Sequence, residues 1–205
     1  MIKSQIYLNY LVSDEDLKIF IQELPDEVTE LFVYPSQLRR VHGLLYGRKL
    51  KLGSYADYPL GAGTAEKIAF EVGSLFKEGA DIVAVFLSPQ KIREACWEEL
   101  QELTDTINRI ERGNGEVRYT LDSQYMRELD KVRIGRHLKP FGMKRISYFA
   151  KDVEDAMHTT QMFRWDGGTE LFLQINLADV SEEDSQTLLD NGVNQVGNVM
   201  KGKSK

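Results

Sequence analysis

The chain has 205 residues, of which 42% are hydrophobic and 28% are charged, as is typical of a globular protein with one large core or two small ones. Its formal net charge of −6 argues against nucleic acid or an anionic membrane as the main partner, since either would select a concentrated basic face. The only cysteine, Cys96, cannot form an internal disulfide, and no apolar run is long enough to span a membrane. We therefore expect a cytoplasmic protein.

Eight short β-rich runs alternate with longer runs that have the helical period of 3.6 residues. The predicted strands cover residues 5–9, 30–34, 51–57, 81–87, 116–121, 144–150, 170–175 and 193–199. Helix starts are indicated by three serine N-caps, namely Ser13, Ser88 and Ser181. Alternating strands and helices predict parallel pairing, and eight such units close into a TIM-like (β/α)8 barrel.

No repeat or linker divides the sequence, so we predict a single domain over residues 1–205. After the eighth predicted strand only "MKGKSK" remains, which is too short for the helix that would cover the seam between the last and first strands. We expect this seam to expose apolar side chains and to be covered in a homodimer. The side chains expected there are Ile6, Leu8, Val193 and Val199.

The stretch "YPLGAGTAEKIAFEVGSLFKEGAD", at residues 58–81, follows the third predicted strand. Its glycines, Gly61 and Gly63, could form either a phosphate cradle at a helix N-terminus or a tight turn into the helix. A lone glycine pair lacks the longer fingerprint of a phosphate loop, so the turn is favoured. On the helix that follows, Lys67 and Glu71 are four residues apart and are expected to form a solvent-exposed pair.

This stretch resembles the deoxyribose-phosphate aldolases, in which phenylalanine-proline-x-glycine precedes a lysine and a glutamate four apart and then glycine-alanine-aspartate. The matching residues are Gly61, Lys67, Glu71, Gly79 and Asp81. "LFVYPSQL", at residues 31–38, and "NGVNQVGNV", at residues 191–199, resemble the second and last strands of that family. The resemblance covers most of the chain and is densest over residues 31–81.

The resemblance implies a class I aldolase, a lyase that forms an imine with a phosphorylated sugar and uses no cofactor. In that family a lysine on the sixth strand forms the imine, a lysine on the seventh lowers its pKa, and an aspartate on the fourth transfers protons. In this sequence Ser147, Gln174 and Ala84 stand at those three positions. Without an ε-amine no imine can form, so we expect the Schiff-base chemistry to be lost.

Alternation along the matched strands predicts a polar barrel interior. We expect Glu116, Arg118, Arg145 and Glu170 to form a buried ionic network in its deeper part. Nearer the mouth we expect a site for a small polar or phosphorylated metabolite, such as a sugar phosphate. Its predicted ligand-binding residues are Thr120, Ser147, Gln174, Asn176, Gly197 and Asn198.

Two function classes stay open on the sequence. The first is an aldolase-like barrel that binds a metabolite without imine chemistry, and the second is an active lyase with a relocated lysine. For the second, Lys151 lies just past the sixth strand, at the end of a barrel where active sites occur, and Asp57 is its candidate acid–base partner. No histidine has a companion at metal-ligand spacing, so no metal is expected.

Overall fold

In the computed structural model, which describes residues 4–8, 12–45 and 47–201, eight parallel strands pair in sequence order and close into a barrel. The fold predicted from the sequence is confirmed. The strands are β1 (Ser4–Leu8), β2 (Glu30–Val33), β3 (Lys51–Ala56), β4 (Ile82–Phe86), β5 (Glu116–Asp122), β6 (Arg145–Phe149), β7 (Phe172–Ala178) and β8 (Gln195–Lys201).

Each crossover between consecutive strands contains at least one helix, as parallel pairing requires. The helices are α1 (Asp14–Glu23), α2 (Pro35–Leu44), α3 (Ala65–Lys77), α4 (Pro89–Arg93), α5 (Trp97–Glu111), α6 (Glu128–Leu138), α7 (Val153–Gly167) and α8 (Glu182–Asp190). The three predicted N-caps are confirmed: the hydroxyls of Ser13, Ser88 and Ser181 each accept a hydrogen bond from the backbone N–H three residues on. These caps fix where α1, α4 and α8 begin.

The loop between β3 and α3 is a tight turn that is closed by the side chain of Asp57. Gly61 has φ +61°, and a Cβ there would lie 2.5 Å from the carbonyl oxygen of Phe86, so only glycine fits. The backbone N–H of Gly63 donates to Asp57 Oδ2 over 2.6 Å. The backbone N–H of Gly63 is therefore already bonded within the turn, as the turn interpretation predicts.

The expected pair between Lys67 and Glu71 is not the contact that the structure shows. Both residues instead contact Asp57: Lys67 Nζ lies 4.0 Å from Asp57 Oδ1, and Glu71 accepts a hydrogen bond of 3.0 Å from the Asp57 backbone N–H. The first two turns of α3 thus hold the end of β3 in place.

The core lies on both sides of the barrel wall. Outward-facing strand residues pack against the helices in a large apolar cluster, and inward-facing residues form a smaller cluster inside the barrel. The fully enclosed members of the inner cluster are Ile6, Phe32, Tyr55, Ile82, Ala84, Phe86 and Val199. Polar side chains fill much of the remaining described interior, which is unusual for a barrel whose interior is normally filled with branched apolar residues.

Arg118 lies at the centre of this polar part and is 1% exposed. Its Nη1 and Nη2 donate to the two carboxylate oxygens of Glu30 over 2.8 and 2.7 Å, and its Nε donates to Glu116 over 2.6 Å. The guanidinium also lies between the rings of Phe32 and Phe172, 5.7 and 5.0 Å from their centroids. Such bidentate, charge-assisted hydrogen bonds are what a buried charge needs to be tolerated.

The predicted network was therefore right about Arg118 and Glu116, right in part about Arg145, and wrong about Glu170. Glu170 precedes β7 and is exposed, because this strand begins at Phe172 rather than at residue 170. Arg145 does reach Glu116, with its Nε 3.9 Å from Oε1, but it is partly exposed at the lower rim and pairs more closely with Glu111, over 2.9 Å. Glu30, which was not predicted, is the principal partner of the buried arginine.

The side chains expected on the outer face of the seam point elsewhere. Ile6 and Val199 belong to the cluster inside the barrel, Leu8 packs against it, and Val193 lies buried before β8 begins. The pairing register, in which Ser4 is opposite Gly197, puts Gln5 and Tyr7 on the outside. Asn9 and residues 202–205 lie outside the described part of the chain, so the expectation that no final helix follows stays a prediction.

No helix among the described residues is both long and apolar enough to cross a membrane.

The side chain of Asp130 holds the start of α6 in place. Its side chain is fully buried and accepts hydrogen bonds from Arg127, with Nη2 to Oδ1 at 3.0 Å, and from Arg93, with Nη2 to Oδ2 at 3.2 Å. Burial by itself would raise the pKa of Asp130, but these hydrogen bonds outweigh it and lower the pKa from 3.8 to about 2.

We expect Arg118→Met to lower the free energy of unfolding by about 3–5 kcal/mol, because it leaves Glu30 buried without a cation. Arg145→Met is the matched control, since it removes a partly exposed pair worth about 1 kcal/mol or less. Urea unfolding of the two variants measures both effects. Equal losses of stability in the two variants would contradict the expectation that the buried pair of Arg118 and Glu30 contributes more than a partly exposed one.

We expect Asp130→Asn to remove about 2 kcal/mol of stability at neutral pH. The folded pKa lies below the unfolded one, so the contribution is complete above about pH 4 and is lost as the pH falls toward 2. The stability difference between wild type and Asp130→Asn should shrink over this window, whereas the exposed Asp26→Asn should not show such a change. A constant difference from pH 7 to pH 2 would contradict the assignment.

Candidate functional site

A cleft of about 770 Å³ opens at the C-terminal ends of the last four strands. Its floor is formed by Phe149, Asn176, Ala178 and Val199, which end strands of the barrel. Its walls come from the loops after β5 and β6 and from the first turns of α6 and α7. This is the end of a (β/α)8 barrel at which active sites lie, so the cleft is the candidate functional site.

Most of the predicted ligand-binding residues lie beneath this floor. Thr120, Ser147, Gln174 and Asn176 all face the barrel interior and are at most 2% exposed. Only Asn176 among them lines the cleft. A ligand in the open part of the cleft could therefore touch Asn176, whereas the other three are covered.

The amide and hydroxyl groups below the floor are bonded to one another. Arg118 Nη1 donates to Gln174 Oε1, and Gln174 Nε2 donates to Asn176 Oδ1 over 2.8 Å. Asn176 Nδ2 then donates to Ser147 Oγ over 2.8 Å. The side chains at the two positions where the family resemblance implies lysines thus belong to one chain of hydrogen bonds that ends on the buried arginine.

Because Gly197 has no side chain, it leaves room for this chain of hydrogen bonds. It faces inward from β8, and a Cβ there would collide with Asn176 Oδ1 and lie 3.1 Å from Gln174 Nε2. Asn198, the next residue, points to the outside of the barrel, where its Nδ2 lies 3.4 Å from Gln5 Oε1 across the seam. Gly197 therefore lies beside the hydrogen-bonded side chains below the floor, whereas Asn198 does not line the cleft.

The two candidate catalytic residues are not brought together. Lys151 lines the cleft, with its side chain 81% exposed and its Nζ 4.0 Å from Asp152. Asp57 lies in the turn before α3, engaged with Gly63 and Lys67, and does not line the cleft. An acid–base role for Asp57 toward Lys151 has no support in this geometry.

The cleft also contains ionisable residues that sequence reasoning missed. Lys131 lines it from α6 although its side chain is only 3% exposed, and its Nζ donates to Asp155 over 2.5 Å and to Glu128 over 2.6 Å. Burial alone would lower the pKa of Lys131, but the two carboxylates outweigh it and hold the pKa above its usual range. This amine stays protonated at neutral pH, so it is an ion-pair partner and not a nucleophile.

Asp122 was also missed, although the sequence carried a signal for it. It ends β5 on the same face as Glu116, Arg118 and Thr120, so extending the predicted strand by one residue would have placed it at the mouth. Burial, and to a lesser extent the charge of Asp155, raises the pKa of Asp122. For Lys131 and Asp155 no such signal exists, because they come from different helices.

The charges around the cleft are mainly negative. Three cationic or potentially cationic side chains line it, Lys131, Lys151 and His158, against the five carboxylates of Asp122, Glu128, Asp152, Glu154 and Asp155. The nearby helix α8 begins with three acidic residues, and its N-cap Ser181 is already satisfied by the backbone N–H of Asp184. Neither feature favours an anionic ligand.

No family model matches the chain. In sequence, the deoxyribose-phosphate aldolase of Lactococcus lactis subsp. cremoris is 18% identical over 200 residues, which cover 93% of this chain and 90% of that enzyme. The resemblance stated from the sequence motifs is thereby confirmed.

Solved structures share the fold. An aldolase named QR15 aligns with a TM-score of 0.81 at 12% identity, covering 97% of this chain and 89% of that one. The deoxyribose phosphate aldolase of Aeropyrum pernix, which is described as a tetramer, aligns with a TM-score of 0.77 at 16% identity, covering 96% and 84%. On its sequence and its fold, this chain is an aldolase-like TIM barrel related to the deoxyribose-phosphate aldolases.

Proposed function

We propose that this chain binds a small polar metabolite in the cleft at the ends of β5 to β8 and no longer forms an imine there. The observation that carries the proposal is the chain of hydrogen bonds through Gln174, Asn176 and Ser147. Two of these residues stand where the related aldolases carry lysines, and each is already bonded to a neighbour. A nucleophilic amine is needed to form an imine, and neither a serine nor a glutamine supplies one.

The cleft itself supports the binding part of the proposal. It is concave, lies at the functional end of the barrel, and combines an apolar floor with polar and charged walls, which is the usual character of a small-molecule site. A sugar phosphate is the ligand class that the related aldolases suggest. The excess of carboxylates and the acidic start of α8 favour an uncharged polar ligand instead.

The runner-up is an active lyase with a relocated lysine. Lys151 favours it, because its amine is accessible and lines the cleft. It has no carboxylate of the barrel interior beside it, and the acidic side chain next to it is the partly exposed Asp152. An exposed, well-hydrated amine lacks the buried setting that activates a catalytic lysine, so it would be a weak nucleophile.

We further propose that residues 1–205 form one domain and that the protein works in the cytoplasm. The continuous pairing from β1 to β8 supports the first statement, because no described strand lies outside the barrel. The lone cysteine, Cys96, which is free in the structure, supports the second.

We expect the protein to form a homodimer around the seam between β8 and β1, as the tetramer of a related aldolase makes oligomer formation plausible for this fold. Light scattering should give about twice the chain mass of 23.5 kDa. Met200→Glu, on the outer face of the seam, should yield monomers, whereas Phe70→Glu on α3 should not. Wild-type monomers at high concentration would remove the dimer.

We expect that borohydride reduction in the presence of acetaldehyde or a deoxyribose phosphate will leave the intact mass of the protein unchanged, because no amine lies at the imine position. Mass spectrometry of the wild type and of Lys151→Ala measures this. Ser147→Lys offers a second comparison, since it restores an amine at the imine position. A stoichiometric adduct on the wild type that disappears in Lys151→Ala would favour the runner-up over the proposed function.

A further inference from the structure

Two hydroxyl groups inside the barrel have no hydrogen-bond partner among the described residues. They are Tyr55 Oη, on a side chain that is 1% exposed, and Thr120 Oγ1, on a side chain that is fully buried. Buried polar groups are nearly always hydrogen-bonded, because leaving one unpaired costs its whole desolvation free energy. A pair of them in one small barrel therefore calls for a physical explanation.

The two hydroxyls come from strands on either side of β4. Tyr55 faces inward from β3, and its partner in register on β4 is Ala84. Thr120 faces inward from β5, and its partner in register on β4 is Phe86. Neither partner carries a polar group, so β4 offers no hydrogen bond to either hydroxyl. The family resemblance implies an aspartate at the position of Ala84, which would have supplied one beside Tyr55.

The neighbouring polar groups do not serve the two hydroxyls. Gln174, Asn176 and Ser147 bond to one another, and Arg118 bonds to Glu30, Glu116 and Gln174. Burial holds the pKa of Tyr55 well above its usual value, so this side chain is a neutral phenol that can donate as well as accept.

One aromatic side chain separates these hydroxyls from the cleft. Phe149 lines the cleft floor and is half-buried, and its ring centroid lies 6.1 Å from that of Tyr55 and 5.9 Å from that of Phe86. The aromatic ring of Tyr58, which is 41% exposed, packs edge-on against Phe86 over 5.2 Å. Phe149 is thus the side chain that would have to move for a ligand in the cleft to reach Tyr55.

The charges around this space select the kind of group that could enter it. Arg118 is paired with two carboxylates, those of Glu30 and Glu116, so its charge is not available to an anion. Both carboxylates are likewise paired, since Glu116 also lies 3.8 Å from Lys51 and 3.9 Å from Arg145, so neither is left for an entering cation. A neutral group that exchanges hydrogen bonds with two hydroxyls is what remains.

We propose that Tyr55 and Thr120 form an inner subsite, below Phe149, that binds a neutral carbonyl- or hydroxyl-bearing end of the ligand by hydrogen bonds to their side-chain oxygens. This inference rests on the proposed function, because it concerns the ligand of the same cleft. It adds that the ligand is an uncharged polar molecule, such as a small hydroxyketone or polyol, whose head group enters the barrel.

Hydroxyacetone is a suitable probe, as it carries one carbonyl and one hydroxyl and no charge. Its binding can be followed by NMR titration of the full-length protein with methyl labels, for wild type, Tyr55→Phe and Thr120→Val. Both substitutions remove only the hydroxyl and keep the shape of the side chain, so the barrel should still fold. We expect each to weaken binding about tenfold, as loss of one hydrogen bond of about 1.4 kcal/mol would.

Tyr119→Phe is the matched control. Tyr119 is on the same strand as Thr120 but faces outward, and its hydroxyl donates to Asn108 Oδ1 over 2.9 Å. This substitution should lower the unfolding temperature and leave hydroxyacetone binding unchanged. Tyr55→Phe and Thr120→Val should have the opposite pattern, with unfolding temperatures equal to or above that of the wild type and weaker binding.

The outcomes separate the inference from the function on which it rests. Binding that Asp122→Asn or Phe149→Ala alters, but that Tyr55→Phe and Thr120→Val leave unchanged, would overturn the inner subsite and keep the cleft as a metabolite site. A hydroxyacetone-soaked crystal in which the two hydroxyls bind only internal water would also overturn the inner subsite.

Binding of deoxyribose 5-phosphate in the cleft without binding of hydroxyacetone would overturn the inner subsite as well. If neither compound binds, the result counts against both the inner subsite and the proposed function.

Discussion

The ion pair between Arg118 and Glu30 is the interaction on which the rest of the barrel interior depends. A guanidinium with so little exposure is tolerated only because both oxygens of Glu30 and one of Glu116 accept its hydrogen bonds, with a ring on either side. Its remaining hydrogen bond goes to Gln174, which orients the amide chain above it. The charge at the bottom of the barrel therefore sets the hydrogen-bond directions up to the floor of the cleft.

The buried arginine restricts which side chains can lie next to it, and this restriction affects imine chemistry. Gln174 accepts a hydrogen bond from Arg118, so a lysine at position 174 would place a second cation beside the guanidinium, and the two would repel each other strongly. Gln174 bonds to the arginine without adding charge, and Ser147 is linked to the arginine only through Asn176 and Gln174. The interior has thus been organised around one permanent cation, whereas imine catalysis needs an amine that can lose its proton.

Above the floor of the cleft, ion pairs between helices replace the hydrogen-bonded amides and hydroxyls. The salt-bridged Lys131 and Asp155 join α6 to α7, and Asp155 also accepts from Tyr148, so the wall of the cleft is tied to the outer face of β6. Asp130 anchors the first turn of the same helix. Ion pairs thus hold the walls of the cleft, its rim is acidic, and the half-buried ring of Phe149 lies in its floor. Such a site discriminates by hydrogen bonding and shape more than by charge.

The sequence by itself determined the strand order, the barrel and the serine caps, because period-2 and period-3.6 patterns and local cap chemistry act within a few residues. It could not determine which charges meet. Glu30 and Arg118 are 88 residues apart, and Lys131 and Asp155 lie on different helices, so their pairing follows only from the closure and stagger of the barrel. The outward direction of Asn198 and the inward direction of Ile6 and Val199 also depended on register, because a shift of one residue turns every side chain of a strand to the other face.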